Sequence, residues 1–162
     1  MIHSNIKAFL STIARSEGTK DLGDDGYNVL VGSRPGQVLT FSSYHDHPGI
    51  VLRVRNDDPR TAFDEEILSS AAGRYQILKK IFVHYKEFLG LKDFGPEAQD
   101  KIAMQLVKEC DALEDVLSGN VETAVRKCRS RWASFPGAGY GQHENTFAAL
   151  RLAFVDYGGL LS

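Results

Sequence analysis

Apolar side chains at Ile6, Phe9, Leu10, Ile13 and Ala14 recur at i, i+3, i+4, i+7 and i+8, the stripe of an amphipathic helix over residues 5–16. Ser4 or Asn5 suits its cap, and Gly18 suits a left-handed stop. From about residue 21 to 68 the period changes. "YNVLVG" and "VLTFSSY" are short β-rich runs, "GIVLRVR" alternates like a strand, and Gly, Pro and Asp separate them. This predicts a small antiparallel sheet. "NDDPRTAFDEE" reads as a polar, mobile loop with an acidic end. Helical spacing then returns. Leu78, Ile81, Phe82, Tyr85 and Leu89 share one face over 74–89, Pro96 suits the first position of the next helix, and a short helix covers 112–118. Asn120 can cap a helix carrying Val121, Val125, Cys128 and Trp132. A last helix over 143–157 presents Phe147, Leu150 and Phe154 and stops at Gly158–Gly159. The fold class is α+β, mainly helical with a small antiparallel sheet, and residues 1–162 read as one domain without repeat or linker.

Composition adds exclusions more than assignments. Hydrophobic residues are 43% and charged residues 25%, ordinary for a globular protein, and the net charge of −2 argues against a general nucleic-acid surface. No apolar run reaches membrane-spanning length, which excludes stable membrane insertion. The N-terminus has no basic stretch followed by a continuous apolar segment, so no signal peptide is read, and the protein is expected in a cytoplasm until something releases it. Cys110 and Cys128 make no disulfide framework and are expected to be reduced and at least partly buried.

One polar residue disturbs the first stripe. Glu17 lies seven positions after Leu10 and four after Ile13, near the centre of the apolar face. If that face is packed, desolvation and the negative end of the helix dipole both favour a protonated carboxyl, the form a general acid needs. The plain alternative is a solvated helix end. "AAGRYQIL" places Tyr75 and Gln76 at a predicted helix start. There, an aromatic face and an amide could meet sugar hydroxyls and acetamido groups. "WASFPGAGYGQ" sets Tyr140 between glycines, where a ring can project. A packed core tyrosine or a simple turn would explain each motif equally well.

Taken in order, "SEGT", "GYNVLVG", "YHDHP", "AGRYQIL", "LGLKDFGPEAQD" and "WASFPGAGYGQ" resemble the lambda-type phage endolysins, from about residue 7 to residue 157. The resemblance implies a lysozyme-like fold whose sheet lines a saccharide cleft. It implies a lytic transglycosylase that cleaves peptidoglycan between N-acetylmuramic acid and N-acetylglucosamine and leaves a 1,6-anhydro end. The family's catalytic glutamate falls on Glu17. Tyr27, Asn28, Tyr75, Gln76, Gln105 and Tyr140 fall on substrate-binding positions in or near the cleft. Asn28 stands where the lambda protein has an aspartate, so a role needing charge there is lost. The segment between "HDHP" and "GRYQ" is longer than in lambda, implying a different flap over 49–68.

The implied reaction needs one carboxylate and no cofactor or metal. Glu17 would protonate the glycosidic oxygen, the 2-acetamido group would stabilise the cationic centre, and the same carboxylate would then deprotonate the C6 hydroxyl that attacks C1. A retaining hydrolase would need a second carboxylate, for which Asp21, Asp24, Asp25 and Asp46 are available. A metal amidase built on His45, Asp46 and His47 is disfavoured, because adjacent residues in an extended stretch point to opposite faces. A non-catalytic wall-binding module is disfavoured by the intact Glu17. The glycines at 137, 139 and 141 lack the spacing of a nucleotide loop. The expected partners are glycan strands and a holin that releases a monomeric enzyme to the periplasm.

Overall fold

The computed structural model describes residues 3–55, 66–141 and 143–162. The elements are α1 (Ser4–Ser16), β1 (Leu52–Arg55), β2 (Glu66–Ser69), α2 (Lys79–Phe88), α3 (Pro96–Glu109), α4 (Leu113–Ser118), α5 (Val121–Cys128) and α6 (Phe147–Asp156). The expected α+β class holds. The chain divides into two compact units, one formed by 1–16 with 104–162, the other by 17–103.

The first unit is built from helical stripes. α1 packs on α6 and α4, and α5 packs on α4 and α6. Ile13, Val125, Phe135 and Phe154 are fully enclosed. Phe9 meets Phe135 edge-on at 6.5 Å, and Trp132 lies 5.6 Å from the same ring. Burying one such side chain stabilises by roughly 1.5–3 kcal/mol. Asn5 does not act as the predicted cap. Its side chain is buried and donates to Leu117 O and Leu160 O, at 3.1 and 3.0 Å, and accepts from Leu160 N at 2.8 Å. That pins the C-terminal tail to α1. Gly119, at φ 82°, ends α4 in a place where a Cβ would collide with Leu160 O.

The described residues of the second unit have less regular structure. β1 and β2 pair antiparallel from Leu52↔Ser69 to Arg55↔Glu66. The predicted strands "YNVLVG" and "VLTFSSY" form only isolated bridges, Val29↔Thr40 among them, around a turn closed by Arg34 and Gln37. β2 falls partly in the segment expected to be a loop; the rest of that expectation, residues 56–65, lies outside the described residues. The helix predicted from 74 begins at Lys79. Residues 73–77 instead form a tight turn, with Gly73 at φ 79°, Gln76 at φ 52° and Gln76 N donating to Gly73 O at 3.1 Å. Phe82, Phe94 and His47 form its core cluster, with ring centroids 4.6–5.8 Å apart.

Candidate active site

Glu17 is the first residue after α1 and is half-buried. The chain is fixed on both sides of it, each within its own unit. Before it, Ser16 Oγ lies 2.8 Å from Ser134 Oγ, and Asn145 Nδ2 donates to Ser16 O at 3.2 Å. After it, Gly18 turns the backbone with φ 72°, and the buried Thr19 hydroxyl donates to Arg74 O at 2.6 Å. A carboxyl group held this way has a defined backbone origin, which proton transfer over hydrogen-bond distance requires.

Arg74 anchors the polar interior of residues 17–103. Its side chain, only 5% exposed, pairs with the Asp25 carboxylate and donates to Asp25 O. Its guanidinium lies 5.0 Å from the Tyr27 ring centroid. Lys20 Nζ reaches Asp25 at 2.8 Å and Asp21 at 2.6 Å. Burial pushes the Asp25 carboxyl up, but the Lys20 hydrogen bond, the Asp21 N–H and the Arg74 charge together hold it below the ordinary range. Tyr27 and Tyr75 both donate to Asp100 Oδ1, at 2.9 and 2.5 Å, with their rings edge-to-face at 6.4 Å. Burial, then the Asp100 carboxylate, raise the Tyr27 phenol to about 12 and push Tyr75 up as well, so both remain donors at neutral pH.

These contacts revise several expected roles. Tyr75 is 2% exposed, so its ring offers no open face to a sugar. The packed-tyrosine alternative is the observed one, and Tyr75 orients Asp100. Gln76 is half-buried in the turn and donates to Gly73 O at 3.0 Å. Asn28 Oδ1 accepts from Asp24 N at 2.8 Å. The neutral amide thus organises its own loop. His47 is buried, with Nε2 2.7 Å from Ile77 O and Nδ1 accepting from Gly49 N at 3.0 Å. One ring nitrogen closes the turn across Pro48 and the other ties that turn to the segment carrying Ile77. Among the described residues no three His, Cys, Asp or Glu side chains are grouped to hold a metal ion.

Gln105 and Tyr140 belong to the other unit. Gln105, on α3, is half-buried and donates to Glu109 Oε1 at 3.1 Å. Tyr140 is 54% exposed between Gly139 (φ 77°) and Gly141 (φ 71°), with its hydroxyl donating to Ser130 O at 2.9 Å. Its ring therefore projects, as the glycine pattern predicts. The loop's shape depends on Glu144, whose carboxylate accepts from Gly137 N and Gly139 N at 2.8 and 2.9 Å. Glu144, Arg74, Asp100 and Gln99 were not among the expected site residues. Gln99 carried a readable signal. It lies on the stripe of Ile102, Ala103 and Leu106, the same anomaly that singled out Glu17.

The endolysin family profile matches residues 7–161. The endolysin of Escherichia phage P2 is 40% identical over 98% of this chain and 95% of its own length. The endolysin of Escherichia phage lambda is 38% identical over 98% and 94%. Bacteriophage lambda lysozyme, solved in complex with a chitohexasaccharide, is similar with a TM-score of 0.87 and 37% identity, covering 100% of this chain and 99% of the other. Agreement of this extent in sequence and backbone leaves no large part of the molecule unmatched: the chain belongs to the endolysin family and has the lambda lysozyme fold.

Proposed function

We propose that this endolysin is a lytic transglycosylase in which Glu17 alone carries the proton. Family membership makes the chain a peptidoglycan-degrading enzyme of the lysozyme kind. The choice between lyase and hydrolase turns on a second carboxylate. The observation favouring the lyase is that each available acid is already committed. Asp21 and Asp25 pair with Lys20, and Asp25 also with Arg74. Asp24 accepts from the Tyr44 hydroxyl at 2.6 Å, and Asp46 pairs with Lys79 and Lys86.

Glu17 donates to the oxygen between N-acetylmuramic acid and N-acetylglucosamine as the bond to C1 breaks. The acetamido carbonyl of the muramyl ring stabilises C1. The Glu17 carboxylate then takes the C6 hydroxyl proton while that oxygen closes on C1, giving the 1,6-anhydro end and regenerating the acid. The chitohexasaccharide complex of the lambda enzyme supports glycan strands as ligand. Tyr140 and Gln105 are the residues proposed to contact the glycan strand in their unit, and Tyr27, Asn28 and Gln76 order the turns of the unit that Glu17 begins. Reducing-end mass analysis of digested peptidoglycan is the test. Products lighter by one water than the hydrolysed fragments are expected; hydrolysed ends alone would establish the muramidase reading instead.

Delivery is part of the same proposal. A monomeric enzyme waits in the host cytoplasm and reaches the periplasm through holin lesions. No described helix is long and apolar enough to cross a membrane. Expressed alone in a Gram-negative host, it should stay in the cytoplasmic fraction until chloroform opens the inner membrane. Lysis without such permeabilisation would refute the dependence.

A further inference from the structure

The two cysteines occupy a built setting that the cleavage reaction does not use. Cys110 directly follows α3, and Cys128 is the last residue of α5. Ion pairs and hydrogen bonds tie the chain together on both sides of them. Glu109, just before Cys110, pairs with Arg131, three residues after Cys128, at 3.2 Å. Asp111, just after Cys110, accepts through its carbonyl from Lys127 Nζ at 2.7 Å, and Lys127 immediately precedes Cys128. The same ammonium reaches Asp115 at 2.8 Å. These two ties hold the end of α3 beside the end of α5, so that the two thiols are neighbours and each bears on the other's ionisation.

The two sulfurs are not equivalent. Cys128 is fully buried, whereas Cys110 is half-exposed. The Cys128 hydrogen bond, then the Arg131 guanidinium, hold the Cys110 thiol below the ordinary range against the effect of burial. The same hydrogen bond and deeper burial push the Cys128 thiol up. One sulfur is thus reachable and thiolate-prone, and the other is protected until its partner has reacted.

We propose that Cys110 and Cys128 form an oxidisable dithiol, closing to an intramolecular disulfide when Cys110 meets a small disulfide oxidant such as glutathione disulfide. In the first step the Cys110 thiolate attacks one sulfur of the oxidant. A Cys110–glutathione disulfide forms, and the second glutathione leaves as thiolate and takes a proton. In the second step Cys128 loses its proton to solvent and attacks the Cys110 sulfur. The Cys110–Cys128 bond forms and the first glutathione leaves. Two protein thiols are oxidised, one glutathione disulfide is reduced to two thiols, and two electrons pass. The closed loop contains all of α4, so the bond restricts the unfolded chain and raises the melting temperature by roughly 6–12 °C.

The test uses the full chain, reduced and then incubated with excess glutathione disulfide, alongside Cys110→Ser and Cys128→Ser. Wild type should lose both thiols, become lighter by two hydrogens, stay monomeric on a non-reducing gel and melt higher. Cys128→Ser should stop one step earlier and carry one glutathionyl group. Cys110→Ser should keep its remaining thiol while folded. The proposal falls if folded wild type retains both thiols under conditions that oxidise the urea-unfolded chain. It also falls if wild type accumulates only the mixed disulfide or only disulfide-linked dimers. These outcomes are read on wild type itself, so a misfolded serine variant does not obscure them.

Discussion

Residues 17–103 and the unit formed by 1–16 with 104–162 are held by different kinds of contact. The second depends on helix faces, with Phe9, Ile13, Val125, Phe135 and Phe154 enclosed and α1 covered by α4 and α6. Among its described residues, the first has α2, most of α3 and a two-stranded sheet as regular structure. Much of its order comes from buried polar groups joining distant segments. Gln99 is the clearest. Fully enclosed, it accepts from Arg74 N at 2.9 Å and donates to Tyr27 O and Phe94 O at 2.9 and 2.8 Å. Gly73 has no side chain because a Cβ there would strike the Gln99 amide. An apolar stripe tolerates substitutions that keep volume and pattern, whereas a satisfied polar node loses several partners at once.

Glu17 begins the polar unit directly after the last residue of the apolar one, and its substitution separates chemistry from stability most sharply. Glu17→Gln should lower peptidoglycan turnover by about 10²–10⁴-fold, the usual worth of a positioned proton carrier, with an unchanged urea midpoint. Activity within about tenfold of wild type would remove Glu17 from its role.

Phe154→Ala should destabilise by about 3–5 kcal/mol, through lost transfer energy and the cavity left among the helices. Gln99→Ala should cost about 3 kcal/mol although it removes less apolar surface, because three backbone groups lose their partner. Urea unfolding measures both. Gln99→Leu is the sharper variant, since restoring volume without hydrogen bonds should not rescue stability. Full rescue would show that packing, not polar satisfaction, holds this unit together.

Tyr140→Ala should weaken chitooligosaccharide binding by about tenfold, the loss of one aromatic contact, with little change in melting temperature because the ring is exposed. A large fall in melting temperature with unchanged affinity per folded molecule would make Tyr140 structural.

The smallest effect is a pH dependence confined to the polar unit. Burial, helped by the Lys79 charge, holds the His47 imidazole below its ordinary value. The unfolded chain therefore binds a proton before the folded one does. The His47 contribution to stability is complete above about pH 6.5 and declines as pH falls from there towards the lowered folded value. Unfolding midpoints at pH 7.5 and 5.5 should differ more for wild type than for His47→Gln. Equal differences would assign the slope to other groups.

The sequence alone determined what short-range periodicity can carry. The stripe of residues 5–16, Pro96 at a helix start, the helix ending at Gly158–Gly159 and the projecting Tyr140 all depend on neighbours within about one or two turns, so the pattern contains them. The same spacing singled out Glu17 as a polar residue continuing an apolar stripe, the basis of the role proposed for it, and the ordered motifs were enough to indicate the family. Tertiary structure decided the rest. The 73–77 turn replaced a predicted helix start because Gly73 and Gln76 take positive φ and Gln99 fills the space beside them. Tyr75 went to the core because its hydroxyl finds Asp100, 25 residues further along the chain. Asn5 became a clasp for Leu160 instead of a cap because its partner lies 155 residues away. Hydrogen bonds across such separations leave no periodic trace in a sequence. They form only once folding brings their donors and acceptors together, out of water, where leaving either unpaired is costly.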